Sequence, residues 1–325
     1  MTIIILSTTT KCVRFCKYIA IAIDIVYDIS MKKILFVYNP VAGKGNIKNK
    51  LSKIIEAFSS DENTLITYAT KANNDAYHHI VQFGQQFDRI ICSGGDGTLN
   101  ETINACMEIA YKGKLGYIPT GTVNDFSKSI KMETNLDRLL DNFNTEIHFQ
   151  SIDVGKLNER YFVYVAAFGS VSEVSYSTPQ NTKNSIGKVA YILEGLKKLT
   201  RQDKIHMRIE YDDGIIEDDF CLGLITNSLF IGGMNFFKED EISLDDGYFE
   251  CIFIKYPKGP ITLNQTLFDI TTRNFENTDK MYAFKTKTLR ITSKKKIKWT
   301  VDGEYGGTYK DATITNYQKA ITILK

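Results

Sequence analysis

The ten residues Cys92-Ser93-Gly94-Gly95-Asp96-Gly97-Thr98-Leu99-Asn100-Glu101 narrow the folds open to this chain more than any other stretch. The run 89–92 reads as a buried strand, while Leu99, Ile103, Cys106 and Ile109 recur at helical spacing, so the glycines stand at a strand-to-helix junction. Thr98 and Glu101 have the spacing of a capping box, which would open the helix there. Glycine lacks a Cβ and lets backbone N–H groups come close to an anion, and a helix N-terminus adds partial positive charge. The junction therefore suits a phosphate. Asp96 breaks that pattern, because a carboxylate among such donors repels phosphate unless a cation or a ligand hydroxyl stands between them. An acid in that place points to chemistry.

The same strand-loop-helix unit recurs on both sides. A strand at 34–38 runs into Asn39-Pro40-Val41-Ala42-Gly43-Lys44-Gly45 and a helix at 48–58. A strand at 65–69 and a helix at 75–87 follow, and a strand at 115–118 runs into Pro119-Thr120-Gly121-Thr122-Val123-Asn124-Asp125-Phe126, where Thr122 and Asp125 again have capping spacing. Strands alternating with helices predict an α/β domain with a parallel sheet, whose ligands bind at the carboxyl ends of the strands. Three polar, glycine-bearing loops should thus meet along one edge. The first contains Gly43-Lys44 but lacks the spacing and the Ser or Thr of a P-loop, so a tight turn explains it as well as nucleotide binding does.

A chain of 325 residues is long for one core, and its texture changes near residue 150. Beyond it come β-branched and aromatic runs at 161–167, 205–211, 220–226, 248–255, 287–292, 297–301 and 320–324, separated by turns such as Asp212-Asp213-Gly214 and Asp245-Asp246-Gly247. This half is expected to be a mostly antiparallel β domain with helical inserts at 186–199 and 262–274. The expected division is an extension at 1–30, an α/β domain at 31–150 and a β domain at 151–325. The extension has an apolar stretch at 19–29 interrupted by Asp24 and Asp28 and preceded by Lys11, Arg14 and Lys17, too short and too charged to span a membrane. It also lacks a good cleavage site, and Met31 is an alternative start directly before the first strand; an interfacial anchor is the rival reading. A net charge of +2 gives no broad basic field, so nucleic acid is not an expected partner. Six cysteines without a CxxC pair read as reduced thiols of a cytoplasmic protein, and four histidines without a metal-ligand spacing predict no zinc site.

Taken together and in order, the 39–45, 94–101 and 119–126 motifs resemble the diacylglycerol kinase catalytic domain family, in particular its soluble bacterial lipid kinases, related to sphingosine kinases and NAD kinases. The resemblance covers residues 31–325. It implies a Rossmann-like N-terminal domain of NAD kinase/diacylglycerol kinase type, a C-terminal antiparallel β-sandwich, and transfer of a phosphoryl group from ATP to a lipid hydroxyl with Mg2+ as cofactor. It further implies that Asn39, Lys44, Gly94, Gly95, Asp96, Gly97, Thr98, Thr122 and Asn124 line the nucleotide site, Asp96 touching ATP or its magnesium. Glu304, after Asp302-Gly303, is the first candidate for general base and Asp153 the second, where Asp302-Gly303 alone would be an ordinary hairpin turn. Asp246, with Asp245, would hold a structural magnesium, the bland reading again being a turn. The partner implied is a lipid at the inner face of a membrane, approached peripherally, with a homodimer left open; Lys294-Lys295-Lys296-Ile297-Lys298 could rest on anionic lipid or be a solvated connection. NAD kinase, sphingosine or phosphatidylglycerol kinase activity and a non-catalytic nucleotide-binding regulator are the alternatives.

Overall fold

The computed structural model describes residues 31–60, 62–169, 204–231, 234–235, 237, 242–275 and 279–325. Residues 1–30 and the helix expected at 186–199 lie outside them.

Four strands open the chain: β1 (Lys32–Tyr38), β2 (Asn63–Ala69), β3 (Arg89–Gly94) and β4 (Lys114–Pro119). They pair in parallel in the order β2-β1-β3-β4. β3 is buried along its whole length and the centre of β1 likewise, because helices cover both faces of a parallel sheet. The helices Leu51–Phe58, Asp75–Phe83, Asp96–Glu108 and Leu136–Thr145 supply that cover, with Ile54, Phe58, Ile80, Leu99, Ile103 and Phe143 buried. The first loop runs into a 3-10 helix, Ala42–Asn49, before the α-helix begins at Leu51, where one helix was expected.

The second half holds β5 (Phe149–Leu157), β6 (Arg160–Phe162), β7 (Val165–Gly169), β8 (Ile205–Tyr211), β9 (Gly214–Thr226), the short pair β10 (Phe230–Ile231) and β11 (Met234–Asn235), β12 (Phe249–Lys255), β13 (Met281–Thr286), β14 (Thr288–Val301) and β15 (Glu304–Leu324). Every pairing among these strands is antiparallel. The long strands β9 and β14 each pair with both β7 and β8, and the interior they enclose is aromatic, with Phe168 edge-on to Trp299 at 5.1 Å between ring centres. Asp212-Asp213 makes the expected hairpin between β8 and β9. Asp245-Asp246-Gly247 instead bends the chain into β12.

The last strand is the main departure from the expected pattern. β15 is 21 residues long, antiparallel to β14 and β5, and its end, Ile323 and Leu324, pairs in parallel with Leu115 and Gly116 of β4. The chain terminus thereby adds a fifth strand to the N-terminal sheet. The expected division at residue 150 falls within β5. The lysine run at 294–298 is not a connection between strands but part of β14.

Candidate active site

The three loops meet at the carboxyl ends of β1, β3 and β4. Asn39 N–H donates to Ser93 O at 2.8 Å, and Thr120 N–H donates to Gly94 O at 2.8 Å. Glycines permit the approach: a Cβ on Gly43, at φ +52°, would fall 1.8 Å from Thr120 O, and one on Gly121 would fall 2.5 Å from Gly95 Cα. The Asn39 side chain accepts from Val41 N–H at 3.0 Å and folds its own loop, while Lys44 lies in the 3-10 helix that follows. Thr98 packs its side chain over Gly94, and Thr122 is exposed beside them.

Both expected capping boxes are wrong in detail. The Asp96–Glu108 helix starts two residues before Thr98, with Gly95 as its cap, and the Glu101 carboxylate reaches away to accept Asn74 N–H at 2.8 Å. The short helix Asp125–Ser129 has Asn124 as its cap, in the left-handed region at φ 50°, not Thr122. Asn124 donates to Gly121 O at 2.9 Å. The first N–H groups of that helix donate to Asp96, from Asp125 at 3.2 Å and Phe126 at 3.4 Å. Asp96 thus ties the second loop to the third. Burial pushes its carboxyl up, the neighbouring Asp125 adds to that, and the two N–H bonds and Lys128 oppose it.

The second half of the chain brings a hairpin to the same place. Asp302 and Gly303 form the two-residue turn between β14 and β15, at φ 48° and 84°, as a mirror-image turn requires. Asp302 is buried and is not an ordinary turn residue. Its carboxylate accepts from the N–H groups of Val163 at 2.8 Å and of Tyr164 and Val165 at 3.0 Å, and from Asn100 Nδ2 at 2.7 Å. Asn100 sits on the Asp96–Glu108 helix, so the turn is bolted to the glycine-rich junction. Burial lifts the Asp302 carboxyl to about 6 despite these donors. Beyond the turn, exposed Glu304 lies against Gly97: a Cβ there would come within 3.0 Å of Glu304 Oε1.

Tyr164 marks the common space. Its hydroxyl is pushed well above the ordinary range by burial first, then by Asp302, Asp96, Asp125 and Glu304. That hydroxyl stands beside the hairpin turn, 3.7 Å from where a Cβ on Gly303 would lie. Sequence reasoning missed Tyr164 and Asn100, and read Asp302 as a turn; the only sequence signal for the pair was Asn100 within the glycine-rich motif and Asp302 two residues before Glu304.

Asp153 has other neighbours. It is fully buried, and its carboxylate accepts Gly247 N–H at 2.6 Å and Lys319 N–H at 2.7 Å. Burial raises its carboxyl and these donors counter that. It therefore holds the 244–248 bend, where Asp245 Oδ1 accepts from the Ser243 hydroxyl at 2.9 Å and Asp246 Oδ1 from Tyr248 N–H at 3.0 Å. Lys319 Nζ stands 3.8 Å from Asp245 Oδ2. Asn227 Oδ1 is buried there without a hydrogen-bond partner, while its amide nitrogen donates to Asp153 O and Leu244 O at 3.4 Å. Among the described residues no group of three or more acidic, histidine or cysteine side chains is placed to hold a metal ion. The cysteines 92, 106, 221 and 251 are free and buried.

A parallel sheet with convergent glycine-bearing loops, crossed by an acid-bearing hairpin from a β-sandwich-like half, has the build of a two-domain phosphotransferase. Residues 33–157 match the diacylglycerol kinase catalytic domain and residues 165–324 the YegS C-terminal NAD kinase beta sandwich-like domain. The chain is 35% identical over 282 residues to a diacylglycerol kinase of Staphylococcus saprophyticus, covering 85% of this chain and 90% of that one. A diacylglycerol kinase of Staphylococcus aureus is 35% identical over the same length and 87% covered. A crystal structure of a diacylglycerol kinase from Bacillus anthracis superposes with a TM-score of 0.73 at 27% identity, covering 90% of this chain and 96% of that one. The chain belongs to the diacylglycerol kinase family. Membership of a kinase family implies the use of ATP.

Proposed function

We propose that this chain transfers the γ-phosphoryl group of ATP to the hydroxyl of diacylglycerol or a similar lipid, giving phosphatidic acid. One observation carries the reading: Glu304, on the hairpin from the other half, brings its carboxylate against Gly97, the residue that follows Asp96 at the head of the glycine-rich helix. Residues 31–150, as a Rossmann-like nucleotide domain, and residues 151–325, as the acceptor domain, then each bring one side of the reaction.

In this reading the N–H groups of Gly95, Gly97 and Thr98 at the head of the helix, with Asn39, Lys44, Gly94, Thr122 and Asn124 around them, hold the nucleotide phosphates. Glu304 accepts the proton of the lipid hydroxyl as its oxygen bonds to the γ-phosphorus and the bond to the β,γ-bridging oxygen breaks, releasing ADP. Asp302 and Asn100 keep Glu304 facing Gly97. Tyr164, whose hydroxyl lies beside Gly303, backs the same turn. Asp96, a carboxylate beside phosphate donors, fits a magnesium ion that arrives with ATP and offsets phosphate charge. At the 244–248 bend Asp246, with the unpartnered Asn227 Oδ1, would hold a second, structural ion that braces the bend. Asp245, shared between Ser243 and Lys319, fits it less well. Asp153 shapes that bend, and we assign it no part in proton transfer.

Among the described residues no helix is long and apolar enough to cross a membrane, which suits a peripheral approach to the lipid. The test is transfer of label from γ-labelled ATP, with magnesium, to diacylglycerol, phosphatidylglycerol, sphingosine and undecaprenol in mixed micelles and to free NAD. Labelled diacylglycerol is expected. Label on no lipid, or on NAD alone, overturns the proposal.

A further inference from the structure

The segment that carries Glu304 is nearly cut off from its own sheet. Two ladder pairs hold it to β14, Val301↔Glu304 and Thr300↔Tyr305, before the register shifts: Trp299 faces Gly307, which leaves Gly306 unpaired in a bulge. On its other side stands the turn made by Asp302 and Gly303. A proton acceptor on so short a segment needs anchors from outside the hairpin. Asp302 supplies one, ahead of Glu304. The other comes just after it, where the Arg160 guanidinium donates from Nη1 to Tyr305 O at 2.6 Å. The Tyr305 hydroxyl lies 2.8 Å from Thr308 Oγ1, which holds the ring rather than the main chain.

Arg160 opens β6 and is half-buried. Among the described residues no carboxylate forms an ion pair with it, and its neighbour Glu159 stands by Lys156 instead, at 3.7 Å. An arginine that only balanced surface charge would sit beside an acid. This one spends its charge on a main-chain carbonyl next to Glu304, and a charge-assisted bond of that kind is shorter and stronger than a neutral one.

One side chain of the glycine-rich helix holds β6 in turn. Asn104, one helical turn after Asn100, accepts Tyr161 N–H with Oδ1 and donates to Tyr161 O with Nδ2, each at 3.1 Å, so it pairs with the residue after Arg160 much as a neighbouring strand would. The same nitrogen donates to Asn100 O at 2.9 Å and to Asn100 Oδ1 at 3.1 Å. With its amide oxygen engaged in this way, Asn100 turns its own Nδ2 toward Asp302, at 2.7 Å. Asn104 therefore sets the anchor on each side of Glu304. The Tyr161 ring is steadied as well, with Lys156 Nζ 4.9 Å from its centre and the Tyr317 ring edge-on at 5.8 Å.

We propose that Arg160 and Asn104 are positioning residues for the transfer step: Arg160 holds Tyr305 O, Asn104 holds the strand that carries Arg160, and together they keep the Glu304 carboxylate against Gly97. This rests on the lipid-kinase reading, in which Glu304 takes the proton of the acceptor hydroxyl. Both residues act through Glu304, so their loss belongs in turnover and not in the binding of ATP.

Arg160→Ala should lower kcat for lipid phosphorylation by about thirtyfold, as a small misplacement of a reacting group does, while the KM for ATP and the urea midpoint stay close to the parent values. The arginine makes a single bond here and not a fork, so Arg160→Lys, which keeps the charge and a donor, should recover most of the loss. Amide hydrogen exchange reads the attachment without ATP or lipid: peptides covering 303–307 should exchange faster in Arg160→Ala than in the parent, and peptides of the parallel sheet at the same rate. Asn104→Ala should show both effects, and the double variant should lose less than the product of the two single losses, because Asn104 acts in part through Arg160. Unchanged exchange at 303–307, parent-like turnover in Arg160→Ala, no recovery with lysine, a loss carried by the KM for ATP, or a double variant that loses the full product would each overturn the assignment. If the parent labels no lipid, the kinase reading fails, and the exchange result alone then decides whether Arg160 holds the hairpin.

Discussion

Asp302 gathers four donors into the protein interior at the joint between the two halves, and its removal should be costly at once to stability and to catalysis. Asp302→Ala leaves three backbone N–H groups without an acceptor and the Asn100 amide with only Tyr161 O, at 3.4 Å. At about 1–3 kcal/mol for each unsatisfied buried group, partly relieved by relaxation, a loss on the order of 3 kcal/mol or more is expected in urea unfolding. Asp96 answers differently. The Asp125 and Phe126 N–H groups bond different oxygens of Asp96, so Asp96→Asn keeps an acceptor for only one of them, and unfolding should shift by about 1 kcal/mol, less than for Asp302→Ala. What disappears is the charge beside the phosphates. Turnover should fall by about a hundredfold or more, as for other lost electrostatic contacts to a transferring group, and a variant turning over like the parent would remove Asp96 from the proposed transfer site.

At the scale of elements, the loops are set by close backbone approaches. Gly121→Ala would put a Cβ 2.5 Å from Gly95 Cα, whereas Gly95→Ala would put one at an ordinary 3.4 Å from Gly121 Cα. The first should separate the second and third loops and raise the KM for ATP by about tenfold, a loss of about 1.4 kcal/mol; the second should change it little from the parent. Steady-state kinetics over a range of ATP decides between this graded response and a uniform one. These loops were legible in the sequence because a strand, its glycines and its following helix are neighbours along the chain. So was the Asp302-Gly303 turn. The tie between Asn100 and Asp302 was not, since it spans 202 positions and a buried aspartate in an Asp-Gly pair looks like any other. β15 was seen only at its apolar end. Over Tyr317–Ile321 its register shifts and its burial loses the alternation that marks a strand. The capping spacings misled for a related reason: Asp96 receives the N–H groups of a helix from another loop, which no local spacing encodes.

Across the whole molecule, the proposed chemistry sits at the carboxyl ends of the strands, and an ionic tie holds their amino ends. Glu146 accepts from Lys32 at 3.2 Å, from Lys114 at 2.7 Å and from the Arg89 guanidinium, the residues that open β1, β4 and β3. Burial works to raise its carboxyl, but Lys114, Arg89 and Lys32 together hold it down to about 2, from an ordinary 4.5. Since the folded value is the lower one, the stabilisation is fully present above about pH 4.5 and is lost as the pH falls toward 2. Because Glu146 and its lysines are partly exposed, solvent screening limits that contribution to on the order of 1–2 kcal/mol. Glu146→Gln should therefore lower the urea midpoint at neutral pH and flatten its decline between pH 5 and about 2. The KM for ATP should stay at the parent value, because the tie lies at the far end of the strands from the loops. A variant as stable as the parent at pH 7, or one declining as steeply in acid, would show that the amino ends are held by packing alone.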